Sequence, residues 1–243
     1  MISDLITSNL AGVRCARILD VGPGFADFSR IAARVTGAAS ITFIDCDPEV
    51  LAWQAARCRD AGIEPTLLSM TLEESAVATI RDRYCLIHCQ EVLEHLPGAE
   101  GTLRALARLL MPGGRMIITV PTRRSERWLR YLNPGYMRNV SHGHVNEYSA
   151  EDLRRLIDGA GLRVLVLQPA QPHYFIAHTW MVATRMPLEG STGRPSLGGV
   201  RGRVFRFLVR YSRFAFRATH AGFWSRLLPR NYFAIAASDE RAR

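Results

Sequence analysis

No stretch of the 243 residues approaches the ~18 uninterrupted apolar residues a bilayer-crossing helix needs, so no membrane-spanning segment is expected. The N-terminal MISDLITSNLAGVRCAR carries Asp4 and lacks a cationic region ahead of a long apolar run, so a secretory leader is not expected either. Cysteine is sparse: Cys15, Cys46, Cys58, Cys85 and Cys89 are odd in number, form no CxxC and sit mostly in apolar runs. That usage predicts buried thiols in a reducing cytoplasm, with neither a disulfide frame nor a zinc cage. No internal repeat is present, and ordinary aromatic and charged fractions exclude disordered and collagen-like classes. Close to half the residues are apolar, enough for one large, well-filled domain.

Lysine is absent, and all 31 basic residues are arginine. Between Ala170 and Arg230 stand ten arginines against one acid, Glu189, which matches the +9 of the whole chain. The basicity therefore belongs to one segment, and the remainder is balanced.

Residues 17–122 alternate short apolar runs with helical patterns, the signature of a parallel sheet covered by helices. RILDVG (17–22), ITFID (41–45), PTLLSM (65–70), YCLIHC (84–89) and RMIITVP (115–121) read as strands. Helical patterns fill 26–37, the stretch from Pro48 to Gly62, and 99–110. An arginine-rich loop is expected after strand five, then a helix opened by a Ser149/Asp152 capping box and closed at Gly161. LRVLVL (162–167) and NYFAIAA (231–237) complete seven strands. The predicted fold is α/β, a doubly wound, mostly parallel, seven-stranded Rossmann-like sheet with a helical insertion before its last strand. Its expected parts are a core (1–168), a basic and aromatic insertion (169–230), and a final strand with tail (231–243).

The first strand runs into Asp20-Val21-Gly22-Pro23-Gly24-Phe25-Ala26-Asp27, a turn that lets backbone approach a ligand closely. Asp45 ends the second strand, where an acid accepts from both hydroxyls of a ribose. Asp27 stands where a dinucleotide site wants its third glycine, and its carboxylate is expected to repel phosphate. Asp20 and Asp27 suit an ammonium and a sulfonium, so the residues favour S-adenosylmethionine over NAD.

Five blocks, RILDVGPGFADFSRIAA, FIDCDPEVL, YCLIHCQEVLEHLPG, ARLLMPGGRMIITVP and HVNEYSAEDLRRLIDGAGL, follow one another in order. Over about residues 15–168 the chain resembles the class I S-adenosylmethionine-dependent methyltransferases. Within them it resembles the branch holding ubiquinone-biosynthesis O-methyltransferases and many natural-product and sugar methyltransferases. The resemblance implies that Asp20, Gly22, Pro23 and Gly24 line the methionine end of the cofactor, with Asp45 on the ribose and Cys46 beside the adenine. Met70 or Thr71 takes the place after strand three where the family often has an Asp, so adenine is expected to be held by apolar packing. Cys89 and Gln90, ending strand four, are expected to touch the cofactor, and His88 to be a satisfied core histidine.

Methyl transfer needs in-line positioning and help in deprotonating the acceptor. Candidates come from Gln90–His95 and Ser141–Tyr148. Glu91, Glu94 and His95, spaced i, i+3, i+4, would share a helix face. Similarity to small-RNA terminal 2′-O-methyltransferases and some ubiquinone-pathway enzymes, which share an E-x-x-E-H block, implies a divalent-metal site completed by His144. His144 or His95 acting as a metal-free base, and purely structural roles for these residues, are the competing readings. The acceptor is expected to be a small hydroxylated molecule, with RNA 2′-O-methylation and a membrane-associated lipid or quinone methyltransferase as alternatives. Arg123, Arg124, Arg127 and Arg130 are expected on the acceptor side, suited to an acidic acceptor. The insertion is expected to be a lid or self-association surface, with a membrane surface next and nucleic acid less favoured.

Overall fold

The computed structural model describes residues 2–135, 143–189, 194–218 and 221–238. Seven strands form one sheet: β1 (Arg17–Val21), β2 (Ser40–Asp45), β3 (Glu64–Ser69), β4 (Tyr84–Gln90), β5 (Leu110–Pro121), β6 (Arg163–Ala170) and, last in the chain, β9 (Asn231–Ala237). Their order is β3-β2-β1-β4-β5-β9-β6, parallel except that β9 runs antiparallel between β5 and β6. Strand order reverses between β1 and β4, which opens a crevice above their carboxyl ends. A two-residue ribbon, β7 (Leu188–Glu189) with β8 (Arg194–Pro195), lies apart from the sheet.

The strands are apolar on both faces because helices cover both. Leu19, Val21, Ile87 and Ile118 pack on one side with α5 (Ala99–Arg108) and α7 (Ala150–Gly159). On the other side Ile18, Phe43 and Ile117 meet α2 (Phe28–Thr36) and α3 (Pro48–Asp60), together with an N-terminal helix, α1 (Ile2–Leu10). Ile2, Ile6 and Leu10 repeat every fourth residue and are buried, so α1 is an amphipathic cover that the sequence reading leaves out. A short α4 (Glu74–Val77) leads into β4. Ser149 and Asp152 make the reciprocal capping box of α7, and Gly161 takes the left-handed stop at φ 77°.

Two expectations are overturned here. The stretch after β5 is a helix, α6 (Arg123–Leu132), and not a loop. Thr122 caps it through Ser125 N–H, arginine is a good helix former, and Leu129 anchors the buried side. The cysteines are not all thiols. Cys15 and Cys85 lie on neighbouring segments with Cα atoms 5.4 Å apart and are joined by a disulfide, while Cys46, Cys58 and Cys89 remain free.

The segment between β6 and β9 folds as α8 (Pro172–Ala183), α9 (Gly199–Ala218) and α10 (Ala221–Leu227). Ala177, Met181 and Val182 of α8, Met186 just beyond its end, and Phe205 of α9 form a satellite core with Leu129 of α6. The insertion is thus seated on α6.

Candidate active site

The glycine turn after β1 forms one wall of a cleft of about 250 Å³, whose lining includes Asp20, Gly22, Pro23, Gly24, Phe28, His88, Gln90 and Glu91. Gly22 (φ 59°) and Gly24 (φ 50°) occupy the left-handed region, and a Cβ on Gly22 would lie 2.6 Å from Val92 Cγ2. Gln54 of α3 fixes the turn from below, its Nε2 donating to the carbonyls of Gly24 (2.7 Å) and Ala26 (3.1 Å). Asp45 stands at the end of β2, with one carboxylate oxygen accepting from Asp47 N–H at 2.9 Å. Burial raises its pKa against that bond and the nearby N–H of Gly24.

Asp20 is buried, and its Oδ1 faces His88 Nδ1 at 3.2 Å. His88 Nε2 and Gln90 Oε1 are buried without a hydrogen-bond partner among the described residues. An orphaned buried polar group costs roughly 1–3 kcal/mol, and both residues line the cleft, so a polar ligand would relieve them. His88 is therefore a core histidine satisfied at one nitrogen alone.

The Cys89 side chain is buried in the core beside Leu93, where burial raises its thiol pKa, and it does not line the cleft. Cys46 is exposed at the end of β2. Met70 N–H donates to Asp45 O at 3.2 Å, which puts Met70 beside the end of β2, while Thr71 lines a different hollow. The electrostatic role expected of Asp27 is also overturned. Its carboxylate bonds to the Arg30 guanidinium, lies 3.8 Å from Arg57, and lines an outer depression rather than the cleft. The acids facing the cleft are Asp20 and Glu91, so these disfavour a diphosphate.

Past the cleft mouth, the E-x-x-E-H block does not form a helix face. Glu91 has a left-handed φ of 53°, and Leu93–His95 is a single 3₁₀ turn. A non-glycine residue at such a φ is strained by ~1–3 kcal/mol. Glu91 Oε1 accepts from Asn231 Nδ2 (2.7 Å) and Thr119 Oγ1 (3.2 Å), which fixes the carboxylate on the cleft wall. Burial raises its pKa, opposed by Arg230 and the Thr119 bond.

Glu94, His95 and His144 instead come together, each offering a ligand atom within 4.8 Å of the others. The His95 and His144 rings meet edge-on at 4.6 Å. Both Glu94 carboxylate oxygens are buried without a hydrogen-bond partner among the described residues. Burial and neighbouring Glu91 push Glu94 well above the ordinary carboxylate range. His142, another histidine of this stretch, lies outside the described residues.

Glu126, which sequence reading does not single out, organises the far side. Its Oε2 faces His144 Nδ1 at 3.1 Å, and Oε1 accepts from Arg230 Nη1 at 2.7 Å. Although burial opposes ionisation, the His144 bond and the Arg230 charge bring Glu126 down to about 2. That contact directs His144 Nδ1 at Glu126 and leaves Nε2 pointing away from it. Arg230 Nε in turn donates to His178 Nδ1 of α8 at 2.8 Å. Among the arginines expected to meet an acceptor, Arg123 pairs with Asp152 (2.5 Å), and Arg127 (3.4 Å) and Arg130 (2.6 Å) pair with Glu147, so those three are already engaged.

Comparison with known proteins identifies the family. A family model described as a methyltransferase domain matches residues 2–167. The ubiquinone biosynthesis O-methyltransferase of Aeromonas salmonicida (strain A449) is 34% identical over 176 residues, covering 70% of this chain and 72% of that protein. Its namesake from Cronobacter sakazakii (strain ATCC BAA-894) is 32% identical over 124 residues, 51% of this chain and 50% of that protein. Among solved structures, a putative sarcosine dimethylglycine methyltransferase from Galdieria sulphuraria superposes with TM-score 0.61 at 17% identity, over 98% of this chain and 85% of that one. The N-methyltransferase NodS from Bradyrhizobium japonicum WM9, in complex with S-adenosyl-L-homocysteine, gives 0.56 at 12% identity, again over 98% and 85%. At those identities the two structures speak for the fold alone. The chain belongs to the methyltransferase domain family and is a class I S-adenosylmethionine-dependent methyltransferase.

Proposed function

We propose that the protein methylates a hydroxyl oxygen of a small molecule, with Glu94, His95 and His144 holding a divalent cation beside the methyl donor. The observation that carries this reading is the Glu94 carboxylate, buried, with neither oxygen hydrogen-bonded among the described residues, beside two histidines. A buried carboxylate without donors is stable when protonated or when a cation takes its oxygens. The oxygen and imidazole donor set suits Mn²⁺, Fe²⁺ or Zn²⁺ better than Ca²⁺. When bound, such a cation would lower the pKa of an acceptor hydroxyl and orient it. The ubiquinone biosynthesis O-methyltransferases among the relatives support oxygen as the atom methylated.

The protein's own tasks are then to bind and to align. Asp45 holds the ribose hydroxyls, and Asp20, Gln90 and the glycine turn hold the amino-acid end, which fixes the direction of the C–S bond. The acceptor oxygen lone pair attacks the methyl carbon in line with sulfur. As the O–C bond forms the C–S bond breaks, its electron pair remaining on sulfur as the neutral thioether. The acceptor proton, made more acidic by the cation, passes to water. Pairing of Arg123, Arg127 and Arg130 with carboxylates favours an uncharged acceptor over a polyanion such as RNA.

The test is transfer of labelled methyl from S-adenosylmethionine to a panel of catechols, sugars and short RNAs, with and without chelator. Turnover on a catechol or sugar that chelation abolishes and Mn²⁺ restores is the expected result. Turnover indifferent to chelator overturns the cation, and turnover confined to RNA overturns the small acceptor.

A further inference from the structure

The outward face of α9 takes no part in the site. Val200, Phe207, Tyr211 and Phe214 are 66%, 61%, 59% and 73% exposed. Their spacing of seven, four and three residues puts them on one stripe of the helix. Gly202, Phe205 and Ser212 are buried on the other side, so the stripe points away from the protein. The Phe207 and Tyr211 rings stack with centroids 5.6 Å apart. Arg203, Arg206 and Arg210 are exposed along one flank of the stripe. An aromatic stripe open to water along a helix is a surface that something covers.

Charge selects what covers it. The ten arginines and one acid of 170–230 fit an anionic partner. A symmetric dimer through α9 would set arginine against arginine. A nucleic acid would be tracked by cations interleaved with stacking rings. Here the stripe begins at Val200, which cannot stack, and the described arginines keep to its edge. An apolar strip flanked by cations is the pattern of a helix lying in a lipid interface. Among the described residues no helix is long and apolar enough to cross a membrane, so the association would be peripheral.

We propose that the outer face of α9 docks on an anionic lipid surface, with Phe207, Tyr211 and Phe214 in the headgroup–acyl boundary and Arg203, Arg206 and Arg210 on lipid phosphates. The inner face of α9 packs on α8, whose His178 bonds Arg230 and through it Glu126 and His144. Docking would therefore hold the site close to the bilayer, where an apolar acceptor dissolves; that consequence rests on the O-methyltransferase reading above, whereas the docking surface does not.

Flotation of the full chain with vesicles of phosphatidylcholine alone, or of phosphatidylcholine with phosphatidylglycerol, tests the proposal. The expected result is flotation with the phosphatidylglycerol vesicles that weakens with added salt. It should fall about tenfold or more in Phe207→Ser/Phe214→Ser and be reduced in Arg203→Gln/Arg210→Gln. Tyr211→Ser alone should show a smaller loss and serves if the double aromatic variant does not fold, which thermal unfolding reports. Wild type that stays with neither vesicle, or aromatic variants that float like wild type, overturn it. So does a dimer in ultracentrifugation, or retention on a single-stranded RNA oligonucleotide, that the same substitutions abolish while vesicles are ignored. Calorimetry with S-adenosylhomocysteine on the same samples separates the two readings, since failed cofactor binding leaves the flotation result untouched.

Discussion

At the scale of single residues, the cleft depends on positions where a side chain is forbidden or irreplaceable. Gly22 combines a φ of 59° with a 2.6 Å approach of its absent Cβ to Val92. Gly22→Ala should therefore cost ~1–3 kcal/mol of stability and weaken S-adenosylhomocysteine binding at least tenfold, by thermal melting and calorimetry together. Asp45→Ala should remove two charge-assisted bonds to ribose and lower cofactor affinity by about tenfold to a hundredfold with little change in melting temperature. Unchanged affinity would place the ribose elsewhere. The positions of Gly22 and Gly24 in the turn and of Asp45 at the end of β2 are legible in the sequence because a local turn and a strand end announce them. Asp27 is a different case: Arg30, three residues on, and Arg57 of α3 both turn toward its carboxylate and away from the cleft, an orientation that the spacing of Asp27 and Arg30 does not fix.

At the scale of elements, α6, α8 and the residue that leads into β9 meet through one hydrogen-bonded chain, His144–Glu126–Arg230–His178. Arg230→Met should destabilise the fold by ~3–5 kcal/mol, because Glu126 would be left buried without its cation. Glu126→Leu in the same chain should recover part of that loss in denaturant unfolding. His178 gives the pH dependence. Burial and the neighbouring Arg230 lower its pKa to about 3, below the ordinary imidazole value of 6.5. Between these values the unfolded chain takes up a proton that the folded chain refuses, so stability falls as pH drops from 6.5 toward 3. Melting temperatures over that window should decline less steeply in His178→Gln, and parallel curves would refute the assignment. None of this network was legible beforehand, since Glu126 and Arg230 are separated by about a hundred residues and meet only because β9 returns antiparallel beside β5. The helix α6 is hard to read for a simpler reason: four of its ten residues are arginine, which reads as a solvated loop, and its Thr122 cap is a single side-chain bond.

At the scale of the whole molecule, the sheet order explains why the glycine-turn cleft and the candidate cation site are built from neighbouring strand ends. The crossover between β1 and β4 leaves the glycine turn and the end of β4 side by side, and β4 delivers Glu91, Glu94 and His95 within one turn of chain. Strand alternation, glycine stops and proline starts made this architecture readable, because each is a local signal repeated many times. His144 could be named from sequence as a partner of the E-x-x-E-H block, yet the spacing suggested a helix that would have brought Glu91 in as a ligand. The left-handed turn at Glu91 sends that side chain to Thr119 and Asn231 instead, leaving Glu94, His95 and His144 to converge. Uptake of Mn²⁺, followed by the electron paramagnetic resonance signal of the free ion, tests that convergence most directly. The wild type should remove Mn²⁺ from solution at a single site, Glu94→Gln and His144→Ala should lose that uptake, and Glu91→Gln should keep it. Equal uptake by all four proteins, or none by the wild type, would contradict a cation held by Glu94, His95 and His144.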